Sequence, residues 1–245
     1  MIIATFKSVA DILIFLILAT ESVIIVKRDI LSLITTYAFQ SVLLAALSSL
    51  FFVETGSFTF LCLAAIIVVS KVVIIPHFMG LVQRKLNMKR DIQFHFLSPV
   101  TSLFASIFII LFTYLSFSKL LSPINLYNSN EFFLGATVGM SIVFMGMMVI
   151  FTRKQTITNV VGYLTMENGV VLFSLFLTEL PLLIEFLIVI DLIMITLIAT
   201  ILAFGIDSTI EEFHARLNPF QEPRKKAPSL PEIEATENLG VEDQQ

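Results

Sequence analysis

The sequence has few of the residues that build metal centres and soluble enzymes. Among its 245 residues there are one cysteine, Cys62, and three histidines, and only 14% of the residues are charged. A single thiol excludes a disulfide framework within the chain and a thiolate metal site. The histidines His77, His95 and His214 are far apart in the sequence and form no cluster with the single thiol. We therefore expect no metal site.

The sequence also lacks the short motifs of common catalytic and nucleotide-binding sites. It contains no Gly-rich phosphate loop, no nucleophile elbow and no HExxH pattern. We therefore expect no catalytic residue and no cofactor site, and the chain does not resemble a self-contained enzyme. A nucleic-acid partner or a small-molecule substrate of its own is not expected either.

Long apolar runs dominate what is present. Hydrophobic residues make up 57% of the chain, and the mean hydropathy is +0.94. A soluble domain of this composition would have too little polar surface to face water. The runs are about 20 residues long, enough for a helix to cross roughly 30 Å of hydrocarbon. The alternation typical of a membrane β-barrel is absent. The predicted fold class is therefore an all-α integral membrane protein, surrounded by the lipid bilayer.

The apolar runs and the breakers between them predict seven transmembrane helices. Their predicted ranges are 8–26, 30–53, 58–79, 97–121, 131–151, 157–179 and 182–206. They make up a predicted transmembrane domain over residues 1–218. Residues 219–245 are rich in Pro, Glu, Lys and Gln, which predicts a disordered tail.

The distribution of Lys and Arg predicts the orientation. Lys7 and Lys119 fall on one side of the predicted spans, Lys71 falls inside a span, and twelve basic residues fall on the other side. The twelve are Lys27, Arg28, Arg84, Lys85, Lys89, Arg90, Arg153, Lys154, Arg216, Arg224, Lys225 and Lys226. The positive-inside rule then places the N-terminus outside and the C-terminus in the cytoplasm, in a cell (inner) membrane.

A weak internal repeat indicates two related halves. Positions match at an offset of 126 residues: Lys27-Arg28 with Arg153-Lys154, Tyr37 with Tyr163, and Ser48 with Ser174. Three helices, one further helix and three more helices leave both triplets in the same orientation. We interpret the fold as two parallel three-helix units joined by the linking helix 97–121.

Glycines predict where helices approach closely. Gly135, Gly139 and Gly146 lie in the fifth predicted helix. Gly162 and Gly169 are seven residues apart in the sixth and share one face of it. Small residues at such spacing let two membrane helices pack closely.

Ionisable residues within the predicted spans are the strongest indication of function. At about 1.5 Å per residue, Lys71, Glu167 and Asp191 fall within a few Å of the predicted midplane. A charge at that depth is costly, so it should face the protein interior and pair. We expect Lys71 to pair with Glu167 or Asp191. Glu185 lies one turn into the last helix, and Glu21 in the inner half of the first.

A buried Lys–carboxylate pair is suited to handling protons. Movement of one proton switches it between an ion pair and two neutral groups. We therefore predict a proton relay formed by Lys71, Glu167, Asp191 and Glu185. The structural alternative is a fixed buried salt bridge that only sets the register of the helices.

Three segments closely resemble component E of hydrogenase-4, a membrane subunit of group 4 nickel–iron hydrogenase complexes. They are LAAIIVVSKVVIIP, RKQTITNVVGYLTMENGVVLF and LLIEFLIVIDLIM. The resemblance covers almost all of residues 8–206, and YLTMENG and SKVVIIP are its more specific motifs.

The last three helices also resemble the K subunit of respiratory complex I and the C subunit of multisubunit cation/proton antiporters. In those relatives a basic pair leads into a helix with the pattern GLE-x-M-x-N, and the next helix carries a mid-membrane carboxylate. The matching positions here are Arg153-Lys154, Gly162, Met166, Asn168 and Asp191. Leu164 stands where the family has its glutamate, and the acid appears at Glu167 instead. Three residues are nearly one turn along the same helix face.

The resemblance implies a non-catalytic subunit of an oxidoreductase complex. Its partners would be antiporter-like membrane subunits and the subunit that anchors the membrane arm. Its charged residues would contribute to redox-coupled translocation of protons or sodium ions. Two alternatives remain: a subunit of a cation/proton antiporter-type complex without hydrogenase, and a non-conducting membrane scaffold.

Overall fold

In a computed structural model of the chain, the described residues are 2–85, 98–121, 130–153, 156–176 and 180–204. The predicted tail, 219–245, lies outside them, as do His95 and His214. Within these ranges the chain is almost entirely helical and contains no β-strand. The predicted all-α class is therefore confirmed.

The helices follow one another along the chain with short connections. They are α1 (Ile2–Val26), α2 (Ile30–Thr55), α3 (Phe58–Ile67), α4 (Ile75–Lys85), α5 (Pro99–Leu121), α6 (Asn130–Thr152), α7 (Thr156–Ser174) and α8 (Leu180–Phe204). A π-helical segment, Val68–Ile74, joins α3 and α4 into one continuous helix. Seven helical segments of the described chain thus occupy the positions of the seven predicted helices.

Five segments of the described chain are long and apolar enough to cross a membrane. They are Phe6–Val26, Ile30–Thr55, Phe58–Gln83, Val100–Lys119 and Phe132–Thr152. Several helices of this kind in one chain define a multi-pass membrane protein. It remains a prediction that α7 and α8 also span the membrane. The side of the membrane on which each terminus lies is a prediction as well.

Two predicted boundaries differ from the structure. The third predicted helix, 58–79, continues as α4 to Lys85. The sixth, predicted to reach residue 179, ends at Ser174, because the chain tightens there into a turn. In that turn the Phe176 amide donates to the carbonyl of Phe173, three residues back. The next helix then begins at Leu180, with Pro181 in its first turn, where a missing amide proton costs nothing.

The predicted break between the second and third helices lies at Gly56. Its φ of +66° is in the left-handed region, which glycine adopts without a steric penalty. Its amide donates to the Phe52 carbonyl at 2.9 Å, which closes the end of α2.

Paired glycines set the contact between α6 and α7. A Cβ on Gly139 would lie 2.9 Å from the carbonyl oxygen of Gly169, and one on Gly146 would lie 2.7 Å from that of Gly162. The two pairs are one heptad apart on each helix and run antiparallel. The close approach predicted from the glycines is therefore confirmed. The glycines of α6 face those of α7.

Among the described residues, two large apolar clusters have polar residues between them, and a third, smaller cluster contains Ile25, Met145 and Val149. One cluster includes Ile17, Leu43, Ile67, Val171 and Leu187. The other includes Ile24, Tyr37, Ile75, Leu164 and Met194. Each of five helical segments contributes residues to both clusters, and buried polar residues lie between these two sets in every segment. They are Thr20, Glu21, Gln40, Ser41, Ser70, Lys71, Thr165, Glu167, Asn168 and Asp191. The polar side chains therefore form one layer across the bundle, which we call the polar layer.

Candidate functional site

Lys71 and Glu167 form an ion pair at the centre of the polar layer. The Nζ atom of Lys71 lies 3.0 Å from Oε1 of Glu167, and the side chains are 0% and 3% exposed. The predicted pairing of Lys71 with a membrane carboxylate is thus confirmed. Removing either partner would leave a charge without compensation in a medium of low dielectric constant.

Asp191 adds a second carboxyl group to this pair. It projects from α8, is buried and lies within electrostatic reach of Glu167. Within the described residues, no side chain hydrogen-bonds the Asp191 oxygens. One ammonium and two carboxyl groups thus form a buried cluster of three ionisable groups.

The π-helical segment positions Lys71. The amide of Ile75 donates to the carbonyl of Ser70, five residues back, instead of four. In a regular α-helix, neighbouring residues point about 100° apart. The wider turn here places both Ser70 and Lys71 in buried positions. Short π-helical segments inside α-helices are frequent at functional sites.

Asn168 links the ion pair to α2. Its Oδ1 accepts a hydrogen bond from Lys71 Nζ at 3.1 Å. Its Nδ2 donates to Gln40 Oε1 and to Ser41 Oγ, both at 3.1 Å. Asn-Gly in this run therefore marks no turn: Asn168 lies inside α7 and bonds two other helical segments.

Gln40 carries the chain of hydrogen bonds on to Glu21 in α1. Its Nε2 donates to Glu21 Oε2 at 2.9 Å. The two end groups of this series of hydrogen bonds, Lys71 and Glu21, determine the direction of every bond between them. Lys71 can only donate and an ionised Glu21 only accepts, so the two amides must both point from Lys71 toward Glu21.

Arg153 lies beyond Glu21, where α6 ends. Its guanidinium donates to the carbonyls of Ile24, Ile25 and Lys27 at 2.8, 2.9 and 3.1 Å. These carbonyls belong to the C-terminal end of α1, which the cation therefore caps. Burial lowers the pKa of Arg153 to about 10, which the neighbouring charge of Glu21 opposes, so the guanidinium stays charged at neutral pH.

A cavity reaches Glu167 from the side of α7 and α8. It has a volume of about 150 Å³, and its lining includes Tyr163, Met166, Glu167, Phe186 and Ile190. Apart from Glu167 these side chains are mainly apolar. The side chain of Glu167 thus borders an apolar cavity between the two helices.

Glu185 is not part of this group. It is exposed on α8, whereas Asp191 on the same helix is buried. Six residues place the two side chains about 120° apart on an ideal helix. Of the four residues predicted for the relay, the structure brings Lys71, Glu167 and Asp191 together and leaves Glu185 on another face.

The residues that sequence reasoning missed are uncharged. Gln40 links Asn168 to Glu21, Ser41 accepts a second hydrogen bond from Asn168, and neither was predicted to take part. Gln40 is 0% exposed within α2. The only sequence indication of its role was the presence of a polar amide side chain inside an apolar run. Tyr37 is also buried beside the site, within electrostatic reach of Glu167 and Asp191.

The fold and the site together define a multi-pass α-helical membrane protein with a buried layer of ionisable and amide side chains. No family model, curated protein or solved structure matches this chain.

Proposed function

We propose that the chain is a membrane subunit of a complex I-like, membrane-bound hydrogenase, in which its buried charges contribute to redox-coupled translocation of protons or sodium ions. The observation that carries the proposal is the contact of Lys71 with Glu167, next to Asp191, in the interior of a membrane protein. Ionisable groups at such depth are rare, and they commonly mark ion pathways. The hydrogenase context comes from the sequence resemblance alone.

The three charged groups can hold a variable number of protons. With Lys71 protonated, the group has a net charge of −1, 0 or +1 as zero, one or two protons occupy Glu167 and Asp191. A charge of either sign arriving on a neighbouring subunit would therefore favour uptake or release of one proton. This is the property required of a step that converts a change of charge elsewhere into proton movement.

Asn168 and Gln40 connect Glu21 to the ion pair. This connection gives Glu21 a role that differs from that of the three charged groups. Asn168 and Gln40 do not readily pass a proton, because their amide groups are neither acidic nor basic near neutral pH. They do orient their dipoles between the Lys71 cation and Glu21. Glu21 thereby responds to the charge of the ion pair without lying on the proton path.

The helix boundaries support the interpretation of two related halves. α1 ends at Val26 and α6 at Thr152, while α2 begins at Ile30 and α7 at Thr156. Both pairs of boundaries are 126 residues apart, the offset of the sequence repeat. Arg153 also donates to the carbonyl of Lys27, its counterpart in the repeat. Counterparts that touch are expected near a two-fold axis, as in a symmetric dimer.

The experiment is a comparison of two conservative substitutions in the native membrane. Glu167→Gln removes the buried acid, and Glu185→Gln makes the same chemical change at an exposed position. Proton uptake by membrane vesicles and hydrogen turnover are measured for both, and assembly is checked by co-purification. We expect Glu167→Gln to lose proton uptake while the complex still assembles, and Glu185→Gln to retain it.

The outcomes separate the proposal from its alternatives. Unchanged proton uptake in an assembled Glu167→Gln complex would indicate a membrane scaffold and refute the relay. Nickel and iron in the purified complex support the hydrogenase assignment. Their absence, together with cation/proton exchange that Glu167→Gln abolishes, would favour an antiporter-type complex.

A further inference from the structure

A groove lies between α1 and α5, away from the polar layer. Its volume is about 460 Å³, and it is lined by Ser22, Val23, Val26, Lys27, Arg28 and Leu103. This volume is within the range of roughly 300–1,000 Å³ found for sites that bind small organic ligands.

The groove joins an apolar wall to a basic end. The apolar span of α1 ends at Val26, and Lys27 and Arg28 follow at once. Val23 of the lining is 43% exposed, and on α5 Phe104, which follows Leu103 of the lining in the sequence, is 69% exposed. A surface that changes from apolar to cationic where a span ends has the two properties of a phospholipid site.

Arg153 makes this end of α1 suitable for an anion. A helix C-terminus carries a partial negative charge, which would repel a phosphate. The three hydrogen bonds from the Arg153 guanidinium to the carbonyls of Ile24, Ile25 and Lys27 neutralise that charge. The positive field of Lys27 and Arg28 is therefore not opposed by the end of their own helix.

We propose that this groove binds an anionic phospholipid, with the phosphate near Lys27 and Arg28 and an acyl chain along the apolar faces of α1 and α5. The apolar wall distinguishes a lipid from free phosphate, which would gain nothing from it. The inference does not depend on the proposed function, because no residue of the groove belongs to the polar layer.

The test measures which lipid the purified full-length chain retains. The chain in detergent is given equal amounts of phosphatidylglycerol and phosphatidylcholine with the same acyl chains, and retained lipid is counted by native mass spectrometry. The variant Lys27→Gln/Arg28→Gln is compared with Lys7→Gln/Lys119→Gln, which removes the same charge from residues outside the groove. At about fivefold per basic residue, we expect the first variant to reduce the preference for phosphatidylglycerol by about 25-fold and the second to keep it.

A groove-filling variant provides a second, independent test. Leu103→Trp keeps both cations, and it is expected to lower retention of phosphatidylglycerol and phosphatidylcholine alike. The Leu103→Trp variant also tests lipid binding in the groove if the double variant does not fold. An unchanged preference in the double variant, equal losses in the two charge variants, or normal lipid retention in Leu103→Trp would each overturn the proposal. Displacement of the lipid by inorganic phosphate at the lipid's own concentration would also overturn it, in favour of a free-phosphate site.

Discussion

Replacement of Gly139 by alanine tests whether the packing of α6 on α7 holds the polar layer in place. A Cβ at Gly139 would lie 2.6 Å from the backbone nitrogen of Phe173, whereas ordinary contact begins at 3.4 Å. The helices would have to separate locally by about 0.8 Å, the difference between these distances. Backbone atoms cannot rotate away as a side chain can, so the strain can be relieved only by moving the two helices apart.

The expected cost is the cost of overpacking, about 1–3 kcal/mol. Gly80→Ala is the matched control, because nothing lies within 4 Å of a Cβ built there. In a helix, alanine is favoured over glycine by roughly 0.5–1 kcal/mol, so this control should gain stability. Thermal unfolding in detergent measures both, with a change of about 2–4 °C for each kcal/mol in a chain of this size.

A chemical cross-link shows whether the same change reaches the site. Gly169, the partner of Gly139, directly follows Glu167 and Asn168 in α7. A small apolar carbodiimide entering the cavity beside Glu167 would activate its carboxyl group. The Lys71 amine, 3.0 Å away, would then form an amide bond with loss of one water to the reagent. We expect efficient cross-linking in the native chain and in Gly80→Ala, and a reduced yield in Gly139→Ala.

Two outcomes would refute this reasoning. If Gly139→Ala were as stable as Gly80→Ala, the close approach of α6 and α7 would be absent from the protein in solution. If Gly139→Ala lost stability but kept the full cross-link yield, the glycine contact would hold the helices together without positioning the site.

Two further substitutions test the buried charges. Lys71→Met should destabilise the chain by about 3–5 kcal/mol, because it leaves buried carboxyl groups without their cation. The double variant Lys71→Met/Glu167→Gln should recover part of this loss. A thermal unfolding series that shows no recovery would contradict the pairing. Arg153→Gln should lower stability by at least about 2 kcal/mol, since hydrogen bonds from a charged group contribute about 1.5–3 kcal/mol each. Lys119→Gln removes one positive charge from an exposed position, so it should cost at most about 1 kcal/mol in the same unfolding assay. An equal loss in both variants would show that overall charge, not the α1 cap, is responsible.

Prediction from the sequence succeeded where a property belongs to one helix. Runs of apolar residues indicate a membrane helix without knowledge of its neighbours, since the bilayer is the solvent for each of them. The break at Gly56 was predictable for a similar reason, because the left-handed conformation is determined locally. The end of α7 at Ser174 was placed five residues too late, since the apolar run continues beyond the residue at which the backbone turns.

The pairing of Lys71 with Glu167 was predictable for an energetic reason. A membrane interior tolerates few isolated charges, so one cation and two anions at the same predicted depth had few other partners. The uncharged links had no such signal. A glutamine or serine in an apolar run can bond its own backbone, and Ser41 does so with the Tyr37 carbonyl at 3.1 Å.

The all-α membrane class, the positions of most helices and the burial of Lys71, Glu167 and Asp191 follow from the sequence alone, because each depends on the cost of placing polar groups in hydrocarbon. The connection of the ion pair to Glu21 through Asn168 and Gln40, and the exposed position of Glu185, are visible only in the folded bundle. Both depend on how each helix is rotated about its axis. That rotation is set by contacts between helices, such as the glycine pairs of α6 and α7 and the wider turn at Lys71.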